Sequence, residues 1–277
     1  MDSIWLGSSR YPALLAQISN PPKQVWIRGD SSVCDKTAVA IVGARAASRE
    51  GKAVAMQIAA DLARAGVVVV SGMARGIDSA AHQGALDGGG KTVAVLGTGI
   101  DVVYPAENAD LAEQIAANGA LLSEFPPGTA PIDFHFPLRN RIISGLSRAV
   151  VVIEAAEKSG SLITAREAAD QNRDVMAVPG SLTGGRFRGS HALLRDGAKL
   201  VESAVDILQE LGISSGPPRS SPEGEGGPQV VEFTVDDISR ELKISVGEAL
   251  GRLLEWELAG EIQRVGSGRF IRSRSKV

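Results

Sequence analysis

Four short stretches carry residue types that can hold a phosphate. Gly43-Ala-Arg45-Ala-Ala-Ser48 and Ser71-Gly72-Met-Ala-Arg75-Gly-Ile-Asp78 each place an arginine inside a glycine-containing turn. Glu154-Ala-Ala-Glu-Lys158-Ser159-Gly160-Ser161 offers a lysine in the same setting, and Pro137-Leu-Arg139-Asn140-Arg141 sets two arginines around an asparagine. A turn of this kind that opens a helix leaves backbone N–H groups free beside the positive end of the helix dipole, which suits an anion. Taken singly, each is equally an ordinary strand-to-helix connection with a cap and a solvated cation. Phe134-His135-Phe136 directly precedes the Arg139/Arg141 pair. Guanidinium groups beside aromatic rings suit single-stranded nucleic acid, which offers backbone charge and base faces together. The same aromatics would also serve as core, leaving only the arginines exposed. Asp78 reads as an acid that satisfies a helix start, and His82, one turn on, as a structural residue.

Positioning these stretches falls to alternating strands and helices. Apolar runs at 38–42, 67–71, 92–96, 120–123, 149–153 and 175–178 read as strands. Helical segments fall between them, near 48–65, 77–88, 107–118, 138–146 and 162–172, and a last helix, short strand and helix run from Ser190 to Leu211. The alternation predicts an α/β fold with a doubly wound, mostly parallel sheet. Thr92-Val-Ala-Val-Leu96 and Ala149-Val-Val-Val-Ile153 are unbroken apolar runs, as expected of strands buried on both faces. In such a sheet the turns at Arg45, Arg75 and Lys158 end on one edge, where open α/β sheets bind ligands.

The remaining segments divide the chain into a lead-in over 1–36, the main domain over 37–212, a linker over 213–229 and a small domain over 230–277. The lead-in holds a short helix near 12–18, a proline stop and a β piece at 25–29. The linker, rich in Gly, Pro and Ser, is expected to be disordered. In the small domain Thr234 and Ser245 read as caps, Leu250, Leu253, Leu254 and Leu258 share a helix face, and residues 261–272 read as a hairpin. This is the winged-helix pattern. Glu248, Glu255 and Glu257 make its second helix a poor fit to a DNA groove.

Several function classes are disfavoured. Gly97-Thr-Gly99 is half of a dinucleotide fingerprint, with Val102 in place of the third glycine, and it follows the third strand rather than the first. One cysteine and three histidines argue against zinc, and no carboxylate grouping suggests a two-metal nuclease. The net charge of −3 gives no general attraction to polyanions, so any such site is a local patch. Cys34 stands alone, no apolar run reaches membrane-spanning length, and no signal peptide is apparent, so the expectation is a cytoplasmic protein.

Taken in order, Tyr11-Pro12, Ile41-Val-Gly-Ala-Arg-Ala-Ala-Ser48, Ser71 through His82, Val95-Leu-Gly-Thr-Gly99 with Tyr104-Pro105, Phe136 through Ser147, Ser159-Gly-Ser-Leu-Ile-Thr-Ala165 and Val178-Pro-Gly180 resemble the DprA/Smf family of bacterial DNA-processing proteins. The resemblance spans residues 11–205, and the last domain resembles the winged helix of many members. It implies an extended Rossmann-like domain that binds single-stranded DNA, protects incoming strands in natural transformation and loads the RecA recombinase. It also implies a homodimer and no catalytic residue; no cofactor and no metal are expected. Carried onto this sequence, the DNA site comprises Gly43, Arg45, Ser48, Gly72, Arg75, Arg139, Asn140, Arg141, Lys158, Ser159 and Gly160. The dimer contact falls at His191, Leu194 and Leu200. Many members carry a helical domain ahead of this region; this chain starts almost at Tyr11, which gives the expectation of a version without it. The alternative is a nucleotide-cleaving phosphoribohydrolase-like enzyme that uses Thr164 and Glu167, and a weaker third reading is a nucleotide-sensing regulator.

Overall fold

The computed structural model describes residues 2–213, 233–235, 238–239, 245–258, 262–266 and 269–272. Two compact units divide near Gly216.

The first unit is built on a nine-stranded sheet. Its strands are β1 (Asp2–Trp5), β2 (Gln24–Gly29), β3 (Ala38–Val42), β4 (Val68–Ser71), β5 (Thr92–Leu96), β6 (Ala120–Ser123), β7 (Ala149–Val152), β8 (Asp174–Ala177) and β9 (Lys199–Leu200). They lie in the order β1-β2-β6-β5-β4-β3-β7-β8-β9. From β6 to β9 every pairing is parallel; β1 and β2 are antiparallel additions at one edge. The run β5-β4-β3-β7-β8-β9 is the doubly wound Rossmann order, which reverses direction between β3 and β7.

Helices α1 (Arg49–Arg64), α2 (Ile77–Asp87), α3 (Ala109–Asn118) and α7 (Ala204–Glu210) cover one face, while α4 (His135–Gly145) and α5 (Ser161–Asp170) cover the other; α6 (Arg188–Arg195) links β8 to β9. Strand β3 shows why its sequence is apolar throughout. Ala38, Ala40 and Val42 pack toward α4 and α5, and Val39 and Ile41 toward α1 and α2. Both faces are dry, so alternation disappears.

Through β1 and β2 the lead-in, described from residue 2, forms one edge of the sheet. Only a 3-10 turn, Leu15–Gln17, forms where a helix over 12–18 was expected. Leu15 and Ile18 pack on Gly145 of α4, and the Tyr11 hydroxyl donates to the Pro22 carbonyl (2.8 Å).

In the second unit, α8 (Val246–Leu258) and the hairpin β11 (Ile262–Gly266) and β12 (Arg269–Arg272) fall where the sequence placed them. Ser245 and Glu248 cap α8 reciprocally: Ser245 Oγ accepts from Glu248 N (3.3 Å), and the carboxylate accepts from Ser245 N (2.9 Å). Thr234 stands in a short strand, β10 (Phe233–Thr234), paired with β12, instead of at a helix start. Most of the helix that a cap at Thr234 would open, and all but the first residue of the linker, lie outside the described residues. The inward face of α8 is Ala249 and Leu253; Leu250 and Leu254, expected beside Leu253 on one apolar face, are exposed. No helix among the described residues is long and apolar enough to cross a membrane.

Candidate functional site

A cleft of about 420 Å³ opens at the C-terminal edge of the sheet, where the strand order reverses between β3 and β7. Its walls are the turns after those strands and the start of α4. The two turns are tied directly, since Ala44 N donates to Glu154 O (2.7 Å). Gly43 is required by close packing: a Cβ there would stand 2.5 Å from Ile77 Cγ1. Gly76, at φ +83°, presses on the same turn, within 2.3 Å of Ala44 O were a Cβ present. The Arg45 and Arg75 turns are therefore interlocked.

Lys158 and Arg45 stand exposed at the rim. Among the described residues no ion pair involves either. The Arg45 guanidinium lies over the Phe136 ring, 5.3 Å from its centre, and Phe136 tilts against Tyr104 at 5.4 Å. A Cβ on Gly97 would come within 2.7 Å of that ring. The incomplete glycine fingerprint therefore seats an aromatic ring at this edge. Ser159 and Gly160 lead into α5, whose start faces the cleft with open space beside Gly160. Asn140 also lines it and donates to Gly160 O (3.4 Å).

Arg139 forms the floor. It is 3% exposed, and its Nη1 donates to Gly72 O (2.6 Å) and to Val95 O, joining the ends of β4 and β5. Among the described residues its Nε has no hydrogen-bond partner. Asp78 lies nearby and accepts from Gly72 N (3.2 Å) and Ala74 N (3.3 Å). Burial pushes the Asp78 carboxyl up to about 6, against the pull of Arg139. Burial likewise brings Arg139 down to about 10, where it still carries its charge at neutral pH. Gly72 leaves room for this pair, because a Cβ would meet the guanidinium and the Asp78 carboxylate, each at 2.7 Å. Gly72 and Arg139 thus act beneath the surface, rather than as exposed ligands. His82 is buried and hydrogen-bonded to Thr92, and burial holds its imidazole down at about 3, in the neutral form.

Three expected site residues are engaged elsewhere. Arg141 forms a bidentate pair with Glu124 (2.7 Å on each arm) and donates to Asn20 O, away from the cleft. Ser48 caps α1 and is held by the buried Glu154 carboxylate, to which its Oγ donates at 2.6 Å. A carboxylate in that position opposes a phosphate. Arg75 faces Glu107 in a bidentate pair at 2.8 Å, both side chains exposed. That pair raises the Arg75 pKa and lowers that of Glu107. Glu107 and Glu154 lie far from their partners in sequence, so no local pattern announces them. Glu167 does not line the cleft, although Thr164 does.

The chain matches the family model described as DNA recombination-mediator protein A over residues 2–212. The chain belongs to that family. Among its relatives, DNA processing protein DprA of Streptococcus pneumoniae is 46% identical over 200 residues, covering 72% of this chain and 71% of the relative. Protein Smf of Escherichia coli is 38% identical over 285 residues, covering 96% of this chain and 76% of the relative, so that likeness runs into the second unit. The X-ray structure of the Streptococcus pneumoniae protein superposes with a TM-score of 0.73 at 44% identity, covering 76% of this chain and 74% of that one. DNA processing protein A of Helicobacter pylori, whose structure describes a single-stranded DNA binding mode, superposes with a TM-score of 0.68 at 30% identity over 76% of this chain and 96% of that one.

Proposed function

We propose that this family member binds single-stranded DNA across the switch-point cleft, without a covalent step. One observation carries the reading: an unpaired lysine and an arginine stacked on a surface aromatic flank one cleft, above a buried arginine. Phosphates meet Lys158, Arg45 and the start of α5, and a base meets Phe136 and Tyr104. Arg75 joins once a phosphate displaces Glu107. A duplex hides its base faces in stacking, so the aromatic ledge favours single strands. The likeness to the Helicobacter pylori protein supports this choice of ligand.

The wider role we assign is protection of incoming DNA in natural transformation and delivery of the strand to RecA recombinase, in the cytoplasm. The family's description as a recombination mediator supports delivery over cleavage. We assign a homodimer contact to His191, Leu194 and Leu200, the last exposed on β9, the final strand of the sheet.

Titration of the full chain with fluorescent oligothymidylate and with duplex of equal length tests the binding. The expected result is preference for the single strand, with log affinity falling linearly against log salt by about 0.7 per phosphate contacted. Equal affinity for duplex, or indifference to salt, overturns it.

A further inference from the structure

Phe136 rests on Gly97 beside Arg45, on one side of the Gly43–Ser48 turn. The other side of that turn repeats the arrangement. Phe187 lies on Gly180, where a Cβ would come within 2.2 Å of the ring. The adjacent Arg186 reaches the turn itself, its Nη1 donating to Ala46 O (2.9 Å). Phe187 forms one wall of a second cavity of about 580 Å³, beside the ends of β7 and β8. Val54, Ile153 and Val178 make its apolar lining, and Ser181 and Thr183 add hydroxyls.

The charge around this cavity does not favour an anion. Arg186 pairs with the buried Glu154 carboxylate (3.3 Å), and Glu50 also lines the space. A free phosphate gains little here. An apolar lining with an aromatic wall and a few hydroxyls fits a neutral planar ring with a polar edge. We propose that this cavity is a second base subsite, which takes a nucleobase of the same strand whose phosphates lie on Arg45 and Lys158. The strand then crosses the Gly43–Ser48 turn, with a base on an aromatic ring at either side. This inference rests on the function proposed above.

The test is an abasic scan: oligothymidylates carrying one abasic position, moved along the strand, are titrated against the full chain. The protein as it stands is expected to show two sensitive positions. In Phe187→Ala, and in Val54→Phe, which fills the cavity, one of them disappears and affinity for the intact strand falls about tenfold. If one variant fails to fold, the other decides. Unchanged affinity and an unchanged two-position pattern in a folded variant, with Arg45→Glu inactive, overturns the subsite alone. Binding that survives Arg45→Glu overturns the cleft reading and the subsite with it. Saturable uptake of free thymidine, abolished by Val54→Phe while strand affinity is untouched, also overturns it.

Discussion

The rim and the floor of the cleft use the same charge in opposite ways. Arg45 and Lys158 at the rim are exposed, and their positive charge is available to a ligand. Arg139 at the floor spends its hydrogen bonds on Gly72 O and Val95 O and sits beside a buried carboxylate. Water screens the rim and keeps its side chains mobile, so removing one costs the fold little. At the floor a lost partner leaves desolvated carbonyls and an uncompensated charge. The floor therefore sets the shape of the site and the rim meets the ligand.

The sharpest way to break this contrast is Arg139→Ala. It should lower unfolding free energy by about 3–5 kcal/mol, measured by urea denaturation, because two strand-end carbonyls lose their donor and the buried Asp78 loses the positive charge nearby. Wild-type stability in that variant would place Arg139 with the rim. Next in size is Arg45→Glu, which should weaken oligothymidylate binding by roughly a hundredfold or more while leaving the unfolding midpoint in place, since it reverses a charge at the centre of the site. A large loss of stability would place Arg45 with the floor.

Lys158→Ala should weaken binding by about tenfold and lower the salt slope by about one contact. Arg75→Ala should cost less, because Glu107 already competes for that guanidinium. An Arg75 effect larger than that of Lys158 would show that the pair opens readily in the complex.

The smallest effect concerns pH. Asp78 has its pKa raised by burial, to about 6 in the folded chain. The folded state thus binds this proton more tightly than the unfolded one. Its contribution to stability grows as pH falls through 6, is complete below the unfolded value of about 4, and is lost as pH rises again. Neutralising Asp78 also leaves the cleft more positive. Strand affinity should rise a few-fold between pH 7 and pH 5, and the rise should shrink in Asp78→Asn. An equal rise in both proteins would remove Asp78 from the account.

Much of the fold is legible in the sequence because strand burial and helix capping are local. The run Ala38–Val42 can only be a strand dry on both faces, and Ser48 caps α1 as its position before a helical segment suggests. The N-terminal sheet edge was only partly read. The β piece at 25–29 is the strand Gln24–Gly29, but Asp2–Trp5 gave no signal, and the pairing of both depends on β6, far along the chain. The aromatic ledge was half visible: Phe136, Tyr104 and Gly97 each stood out, yet nothing local joins them.

By itself the sequence determined the strand–turn–helix units, the edge on which their turns gather and the family they resemble, since these follow from residue type and spacing. Only the tertiary structure decided which cations face the ligand. Arg139, Asn140 and Arg141 are consecutive, and a helix turns about 100° per residue, so they leave α4 in three directions. Arg139 goes down to the ends of β4 and β5, Asn140 to the cleft, and Arg141 across to Glu124 and the N-terminal segment. Burial and the partner met in each direction then divide the labour among them.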